Sequence, residues 1–178
     1  LSGDQHDGHD YIKELYQRGI RAFLVSRPQD YSHFPEAGFC LVNDSLSGLQ
    51  RLATTRRNGY EGRVVALTGS NGKTIVKEWL FQLLHKKHRV VKSPKSYNSQ
   101  VGVPLSVWRA HSEDEIGLFE AGISQPGEME RLEQILKPEI GIITNIGSAH
   151  DAFFLDKEQK TNDKLKLFKN AQKVIYCS

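Results

Sequence analysis

Short runs of apolar residues alternate along this chain with longer segments whose apolar residues recur at helical spacing. The runs have the length of buried strands, and the longer segments gather their apolar side chains on one helix face. Strands that alternate with helices in this way form a parallel sheet with helices on both faces. The pattern predicts an α/β fold with strands near residues 22–25, 39–42, 64–68, 89–92, 116–121, 140–145 and 174–177.

The polar stretch RRNGYEG, residues 56–62, separates two such α/β units. Its two glycines are typical of a flexible connection, so we predict a domain boundary there. A small α/β domain would occupy residues 1–62, with Asp10 capping its first helix. A parallel sheet that contains a phosphate-binding loop would occupy residues 63–178. Its first helix should place six apolar residues on one face: Ile75, Val76, Trp79, Leu80, Leu83 and Leu84.

A loop of small residues, Gly69, Ser70, Asn71 and Gly72, joins the strand at 64–68 to that helix. Glycine can adopt positive φ and turn backbone N–H groups inward, toward the positive end of the helix dipole. Lys73 then supplies a mobile charge for nucleotide phosphates, and the Thr74 hydroxyl a ligand for Mg²⁺. The stretch therefore predicts an ATP site with bound magnesium.

The usual phosphate-loop pattern, G-x-x-x-x-G-K-[ST], requires glycine at position 67, where this chain has leucine. The alternative interpretation is a left-handed turn that caps a helix and is followed by an incidental Lys-Thr pair. The strand before the loop and the helix after it favour the phosphate site, because they are the context that the motif needs.

Polar residues follow several of the predicted strands, at the edge of a parallel sheet where ligands collect. Glu120 ends an apolar run and needs a partner, for which we prefer Mg²⁺ to a lysine. His150 follows the strand at 140–145, although a lone histidine is more often a surface or core residue. Asn98 and Ser99 lie in a polar loop that turn chemistry alone could explain.

Composition narrows the class of protein. The chain has 178 residues, 38% hydrophobic and 25% charged, with a net charge of +3, as in an ordinary soluble globular protein. Its charges are mixed, and the cluster at 86–89 suits a helix C-terminus better than nucleic acid. Cys40 and Cys177 each end an apolar run, which predicts buried free thiols in a reducing compartment. The sequence shows no signal peptide or membrane span.

The string TGSNGKT, residues 68–74, resembles the phosphate loop of the Mur ligase family of ATP-dependent peptide ligases. Three further blocks resemble the branch that adds D-alanyl-D-alanine: SYNSQVGVPL (96–105), FEAGISQPGEMERL (119–132) and PEIGIITNIGSAH (138–150). The stretch SGDQHDGHDYI (2–12) is similar to the end of that branch's UDP-sugar-binding domain. The first 62 residues would then be part of this domain.

The resemblance implies roles for individual residues. Lys73 would bind the β and γ phosphates of ATP, and Thr74 and Glu120 would hold Mg²⁺. His150 would bind or adjoin a second Mg²⁺, and Lys164 would react with CO₂ to become a carbamate, with Lys160 and Lys166 as rivals. Asn145 would join the nucleotide site, and Asn98 and Ser99 the substrate site. The chain departs from the branch at Ser99, commonly asparagine, and around Lys164, where Ala-Lys-x-Glu is usual.

The implied reaction joins D-alanyl-D-alanine to a UDP-N-acetylmuramoyl-tripeptide through an acyl phosphate, in peptidoglycan precursor synthesis in the cytoplasm. We expect a monomer that is part of a longer protein, binds nucleotide weakly and does not turn over alone. Some members of the branch are fused to an alanine racemase domain, and the sequence leaves open whether this protein is one of them. The alternatives are a folate polyglutamate ligase and a non-catalytic nucleotide-binding module. A P-loop kinase or GTPase is disfavoured. It would need glycine at 67 and, to recognise guanine, a motif such as N-K-x-D, and the sequence has neither.

Overall fold

The computed structural model describes residues 1, 6–147, 154 and 156–177. The chain forms two units, Leu1–Arg51 and Leu52–Ser178. The division falls within helix α2 (Ser45–Asn58), ahead of the polar stretch at 56–62 where we expected a boundary.

The C-terminal half of α2 gives the reason for this difference, because it packs within the second unit. Ala53 is fully buried in the core of that unit, together with Tyr60. Arg57 donates from Nε to the carbonyl of Leu136 at 2.8 Å and from Nη1 to that of Tyr60 at 3.0 Å. The stretch that the sequence suggested as a flexible connection is therefore anchored by buried hydrogen bonds.

The first unit contains one short helix, α1 (Ile12–Gln17), and a pair of parallel strands, β1 (Ala22–Val25) and β2 (Gly38–Leu41). A 3-10 turn at Gly8–Tyr11 precedes α1, and Asp7 caps that turn by accepting from the His9 N–H at 3.0 Å. The prediction that Asp10 caps the first helix is wrong, because Asp10 lies within the 3-10 turn that precedes α1. The start of α2 completes the unit.

The second unit is built on a five-stranded parallel sheet in the order β4-β5-β3-β6-β7. Its strands are β3 (Arg63–Thr68), β4 (Val90–Lys92), β5 (Ile116–Glu120), β6 (Ile140–Ile143) and β7 (Lys173–Tyr176). Helices α3 (Lys73–Leu84), α4 (Gly102–Val107), α5 (Glu128–Leu136) and α6 (Lys157–Leu165) alternate with them, and a 3-10 turn, Lys166–Phe168, continues α6. The predicted parallel α/β architecture is confirmed.

The core of this unit lies where α4, α5 and the turn after α6 cover the sheet. Phe119, Leu132 and Leu167 are fully buried there. Gly141 on β6 lies under Phe168, whose ring would be 2.4 Å from a Cβ at that position. Central strands buried on both faces read as continuous apolar runs, which explains why β3 and β5 were predictable.

Two expectations about exposure are wrong. In α3, Ile75, Trp79 and Leu83 are 56%, 62% and 70% exposed, so the six apolar residues do not form one buried face. The residue that α3 buries completely is Lys77. Cys40 and Cys177 form no disulfide, as predicted, but both are exposed, because β2 and β7 leave much of their surface open to solvent. Within the described residues, no helix has the length and hydropathy to cross a membrane.

Candidate active site

The loop between β3 and α3 needs glycine at both of its ends. Gly69 has φ +143°, and a Cβ there would lie 2.1 Å from Thr144 Oγ1. Gly72 has φ +80° and directly precedes the first residue of α3. The positive φ that the sequence predicts is thus observed at both positions. The loop ends at the N-terminus of a 12-residue helix, whose unpaired N–H groups favour an anion.

The chain just after β6 fixes the shape of this loop. The Ser70 N–H donates to the Asn145 carbonyl at 2.8 Å, and the Asn71 N–H donates to Asn145 Oδ1 at 2.9 Å. Thr144 Oγ1 donates to the Asn71 carbonyl at 2.5 Å. Asn145, predicted for the nucleotide site, therefore contacts the loop itself, through both its backbone and its side chain.

Lys73 turns its ammonium back over the loop. Its Nζ donates to the Gly69 carbonyl at 2.7 Å and to the Ser70 carbonyl at 3.4 Å. Partial burial lowers the pKa of Lys73, and the negative charge of Glu120 opposes that shift. The ammonium thus lies at the loop that would receive the phosphates, where partial desolvation strengthens its attraction for an anion.

Glu120, at the end of β5, is completely buried and faces the first turn of α3. Its Oε2 accepts a hydrogen bond of 3.0 Å from the Thr74 hydroxyl. Its Oε1 lies 2.8 Å from Nζ of Lys77, which is also completely buried. The structure therefore pairs Glu120 with a lysine as well as with the threonine that was predicted to bind Mg²⁺.

The residues around Glu120 fit a magnesium ion. The Lys77–Glu120 contact is close but lacks hydrogen-bond alignment, so Oε1 has no hydrogen-bond partner among the described residues. A carboxylate and a hydroxyl are hard oxygen ligands of the kind that Mg²⁺ prefers. The described part of the chain contains no group of three or more His, Cys, Asp or Glu side chains placed to hold a metal ion by themselves. Nucleotide phosphates and water would thus complete the coordination, as is usual for this ion.

A cavity of about 250 Å³ opens beside the loop and brings together residues that lie far apart in the sequence. Gly69, Lys73, Asn98, Ser99 and Lys164 all line it. The Asn98 carbonyl accepts from the Gly122 N–H at 2.8 Å, which ties the cavity wall to the end of β5. Ser99 Oγ accepts from the Gly102 N–H at 3.1 Å, so this serine also caps α4.

Lys164 is 3% exposed and reaches this cavity from α6. Burial, together with the positive charges of Lys73 and Lys160, lowers its pKa to about 8, and the negative charge of Asp163 opposes this shift. A lysine with this pKa is partly neutral near physiological pH, which is the state that attacks CO₂.

The two rival lysines lie in different surroundings. Lys160 is buried and donates to the Gly147 carbonyl. Lys166 pairs with Asp163 at 2.6 Å and with Glu130 at 2.7 Å, and these carboxylates raise its pKa to about 12. A strongly cationic amine does not attack CO₂, so the geometry favours Lys164 over Lys166.

His150 lies outside the described residues, and its role stays a prediction. Lys77 was missed, although the sequence carries a signal for it. It is the fourth residue after Lys73 and the third after Thr74, so all three share one face of α3, the face toward Glu120.

Comparisons with known proteins identify the family to which the chain is similar. A family model described as the Mur ligase middle domain matches residues 67–177. The chain is 38% identical over 171 residues to the UDP-N-acetylmuramoyl-tripeptide–D-alanyl-D-alanine ligase of Borreliella burgdorferi, covering 93% of this chain and 37% of that protein. It is 35% identical to the enzyme of the same name from Treponema pallidum, covering 94% and 38%.

Solved structures give the same result for the fold. A MurF ligase from Thermotoga maritima, crystallised in complex with ADP, superimposes with a TM-score of 0.87 at 33% identity, over 99% of this chain and 41% of that one. A MurF from Acinetobacter baumannii gives 0.88 at 28% identity, over 96% and 37%. The chain therefore spans well under half the length of these relatives. On the match of its phosphate loop, sheet and helices to the middle-domain model, the chain belongs to the Mur ligase family.

Proposed function

We propose that this chain is the nucleotide-binding part of an ATP-dependent ligase that joins D-alanyl-D-alanine to UDP-N-acetylmuramoyl-tripeptide. The observation that carries the proposal is the hydrogen bond between Thr74 and the buried Glu120 beside the glycine loop. That pair lies beside Lys73 and Gly69, which line the cavity, so that a phosphate and cation site adjoins it. The two substrates are those for which the similar ligases are named.

The reaction proceeds in two displacements. The terminal carboxylate of the muramoyl tripeptide attacks the γ-phosphorus of ATP, which forms an acyl phosphate and releases ADP. The amine of D-alanyl-D-alanine then attacks the acyl carbon, phosphate leaves, and the amine loses a proton as the amide forms. Little covalent chemistry falls to the protein, so positioning and charge stabilisation dominate.

The residues around the loop have separate tasks in the first displacement. The backbone N–H groups at the start of α3 bind the phosphates, and Lys73 exchanges its loop carbonyls for phosphate oxygens. Thr74 and Glu120 would hold Mg²⁺, which would supply positive charge to offset the charge on the transferring phosphoryl group. Asn145 keeps the loop in the conformation that accepts the phosphates.

The cavity takes the acyl end of the peptide substrate. Asn98 and Ser99 line it as hydrogen-bonding groups, and Lys164 faces it as an amine. In this proposal the Lys164 ammonium first loses a proton, and the neutral amine then attacks CO₂, forms an N–C bond and releases a second proton, so that a cation is replaced by an anion. His150 would serve a second Mg²⁺. The activity takes place in the cytoplasm, where ATP is available, and the protein acts as a monomer.

Calorimetry with ATP analogues and ADP in the presence of Mg²⁺ tests the nucleotide site directly. Lys73→Ala should weaken nucleotide binding at least tenfold, whereas the matched control Lys86→Ala, on an exposed lysine after α3, should leave it unchanged. Equal affinity in wild type and Lys73→Ala would support a non-catalytic nucleotide-binding module instead.

The substrates are tested on a protein that spans the full length of the relatives. Phosphate release should require ATP, UDP-N-acetylmuramoyl-tripeptide and D-alanyl-D-alanine together. Activity with a folate and glutamate instead would identify the folate polyglutamate alternative. We expect the 178-residue chain alone to release no ADP in response to D-alanyl-D-alanine, and such release would contradict that expectation.

A further inference from the structure

Lys77 is a fully buried lysine that the reaction outlined above does not use. Its Nζ donates to the Ser93 carbonyl at 2.8 Å and to the Lys95 carbonyl at 2.5 Å. It also lies 2.8 Å from Glu120 Oε1 and 3.3 Å from Glu78 Oε1. One ammonium group therefore joins α3, the segment after β4 and the end of β5.

The segment after β4 is shaped to meet this ammonium. Lys95 has φ +47°, a left-handed conformation that a residue with a side chain adopts only when its surroundings favour it. Ser93 is fully buried, and its Oγ accepts from the Glu120 N–H at 3.1 Å. Ser93 is thus bonded both to Lys77 and to the backbone of Glu120.

The same segment continues into the wall of the cavity. Tyr97 donates its N–H to the Pro94 carbonyl at 3.0 Å, which closes a turn before Asn98. The Asn98 carbonyl then accepts from the Gly122 N–H at 2.8 Å, two residues beyond Glu120. A displacement of the carbonyls at 93 and 95 would therefore move both Asn98 and the carboxylate of Glu120.

An apolar side chain of similar length would fill this position with less desolvation cost, since replacing a buried ion pair by apolar residues is often neutral or stabilising. Packing alone does not explain a lysine here. An ammonium on α3 that donates to two carbonyls after β4 and lies against the Glu120 carboxylate on β5 sets the mutual geometry of these three elements, which methionine could not do.

We propose that Lys77 is a positioning residue that fixes the Glu120 carboxylate against Thr74 and holds the 93–99 segment in register with the cation site. The proposal rests on the proposed function, because it takes Thr74 and Glu120 as the Mg²⁺ ligands. Lys77 itself contacts neither nucleotide nor substrate. It acts by keeping the ligand oxygens and the cavity wall at Asn98 and Ser99 in place before ligands arrive.

The first test compares ADP affinity with and without Mg²⁺ in wild type, Lys77→Met and Lys77→Arg, with Lys86→Met as the matched control. In Lys77→Met we expect the affinity without Mg²⁺ to stay within twofold, because Lys73 and the loop are intact. The gain in affinity on adding Mg²⁺ should fall at least tenfold. Lys77→Arg should restore part of that gain, because it keeps a positive charge and donors.

A folded Lys77→Met variant that keeps the full Mg²⁺ gain would overturn the proposal. Absence of ADP binding in wild type would instead count against the proposed function. A second test separates the positioning role from the proposed function, since it needs no nucleotide.

This second test measures amide hydrogen exchange in the double variant Lys77→Met/Glu120→Met. The double variant leaves no unpaired buried charge, so it can be used even if Lys77→Met alone does not fold. The amides of Tyr97 and Gly122 should exchange at least tenfold faster than in wild type, relative to β3 amides. Unchanged exchange at these two amides would refute the positioning role.

Discussion

The Thr74 hydroxyl donates to Glu120 Oε2 across 3.0 Å, which joins the first turn of α3 to the end of β5. The two residues are 46 positions apart in the sequence, so it is the fold that brings their oxygens together. A cation that took both oxygens would replace this hydrogen bond. In the proposed Mg²⁺ site the two oxygens are thus already close together, and such preorganisation lowers the entropic cost of binding.

Removing the Glu120 carboxylate should destabilise the protein strongly. In Glu120→Ala the ammonium of Lys77 would lose its buried anionic partner and keep only the more distant, partly exposed carboxylate of Glu78. We expect a loss of about 3–5 kcal/mol in the free energy of unfolding, measured by urea denaturation. Glu113→Ala, at an exposed carboxylate, should change it by less than about 0.5 kcal/mol. Similar values for the two variants would show that the Lys77–Glu120 pair is not buried as observed.

Two glycine variants separate backbone strain from collision at the phosphate loop. Gly127 has φ +82°, with no described atom within 4 Å of a Cβ, so Gly127→Ala should cost only about 1–2 kcal/mol of strain. Gly69→Ala should cost more, because its Cβ would lie 2.1 Å from Thr144 Oγ1 and 3.0 Å from backbone atoms of Asn145. It should also abolish ADP binding in calorimetry. Normal ADP binding by Gly69→Ala would exclude the glycine loop as the phosphate site.

The phosphate loop and the parallel sheet were predictable because they depend on local order in the sequence. A buried strand, two glycines and Lys73 at a helix start follow one another directly, and the position of Glu120 follows from its place at a strand end. The loop needs no glycine at 67, because Leu67 is a fully buried residue of β3 and not part of the loop.

The partners of these residues were not predictable in the same way. The spacing places Lys77 on the same face of α3 as Lys73 and Thr74, but a lysine is rarely fully buried unless it is paired, so its burial does not follow from the spacing. Its burial depends on Glu120 and Ser93, which are remote in the sequence. The exposure of Trp79 follows from the same rotation of α3, which turns Lys77 toward the sheet and Trp79 outward.

The stability of the protein should rise with pH above about 8 because of Lys164. Its pKa is lowered from 10.5 to about 8 on folding, so between these values the unfolded chain holds a proton that folded Lys164 has released. The free energy of unfolding should therefore increase across that window, and Lys164→Met should flatten the increase. Lys166→Met is the control. Its pKa is raised to about 12, so the stability it contributes is present below 10.5 and is lost only at higher pH.

Carbamate formation should be specific to Lys164. In ¹³C-bicarbonate near pH 8, we expect one carbamate resonance in the NMR spectrum, since about half of this amine is then neutral. The resonance should disappear in Lys164→Met and persist in Lys166→Met. A resonance that persisted in Lys164→Met and disappeared in Lys160→Met would assign the modification to Lys160 instead.

Arg57 should contribute more to stability than an exposed arginine does. Its guanidinium donates to the carbonyls of Leu136 and Lys137, at 2.8 Å and 3.2 Å, and to Glu139 Oε1 at 3.1 Å. The first two carbonyls end α5, and Glu139 Oε2 accepts from the Val64 N–H, so one side chain connects α2, α5 and β3. Arg57→Ala should lower the free energy of unfolding by about 3 kcal/mol in urea denaturation, because it leaves these acceptors unsatisfied.

The matched control for Arg57 is Arg63→Ala, at an exposed arginine on β3, which should change stability by less than about 0.5 kcal/mol. Arg57→Lys should lie between the two, because an ammonium lacks the planar fork that reaches several acceptors at once. Equal stability of Arg57→Ala and Arg63→Ala would mean that the stretch at 56–62 is the flexible connection the sequence suggested. A large difference would establish that the C-terminal half of α2 is fixed within the second unit through residue 57.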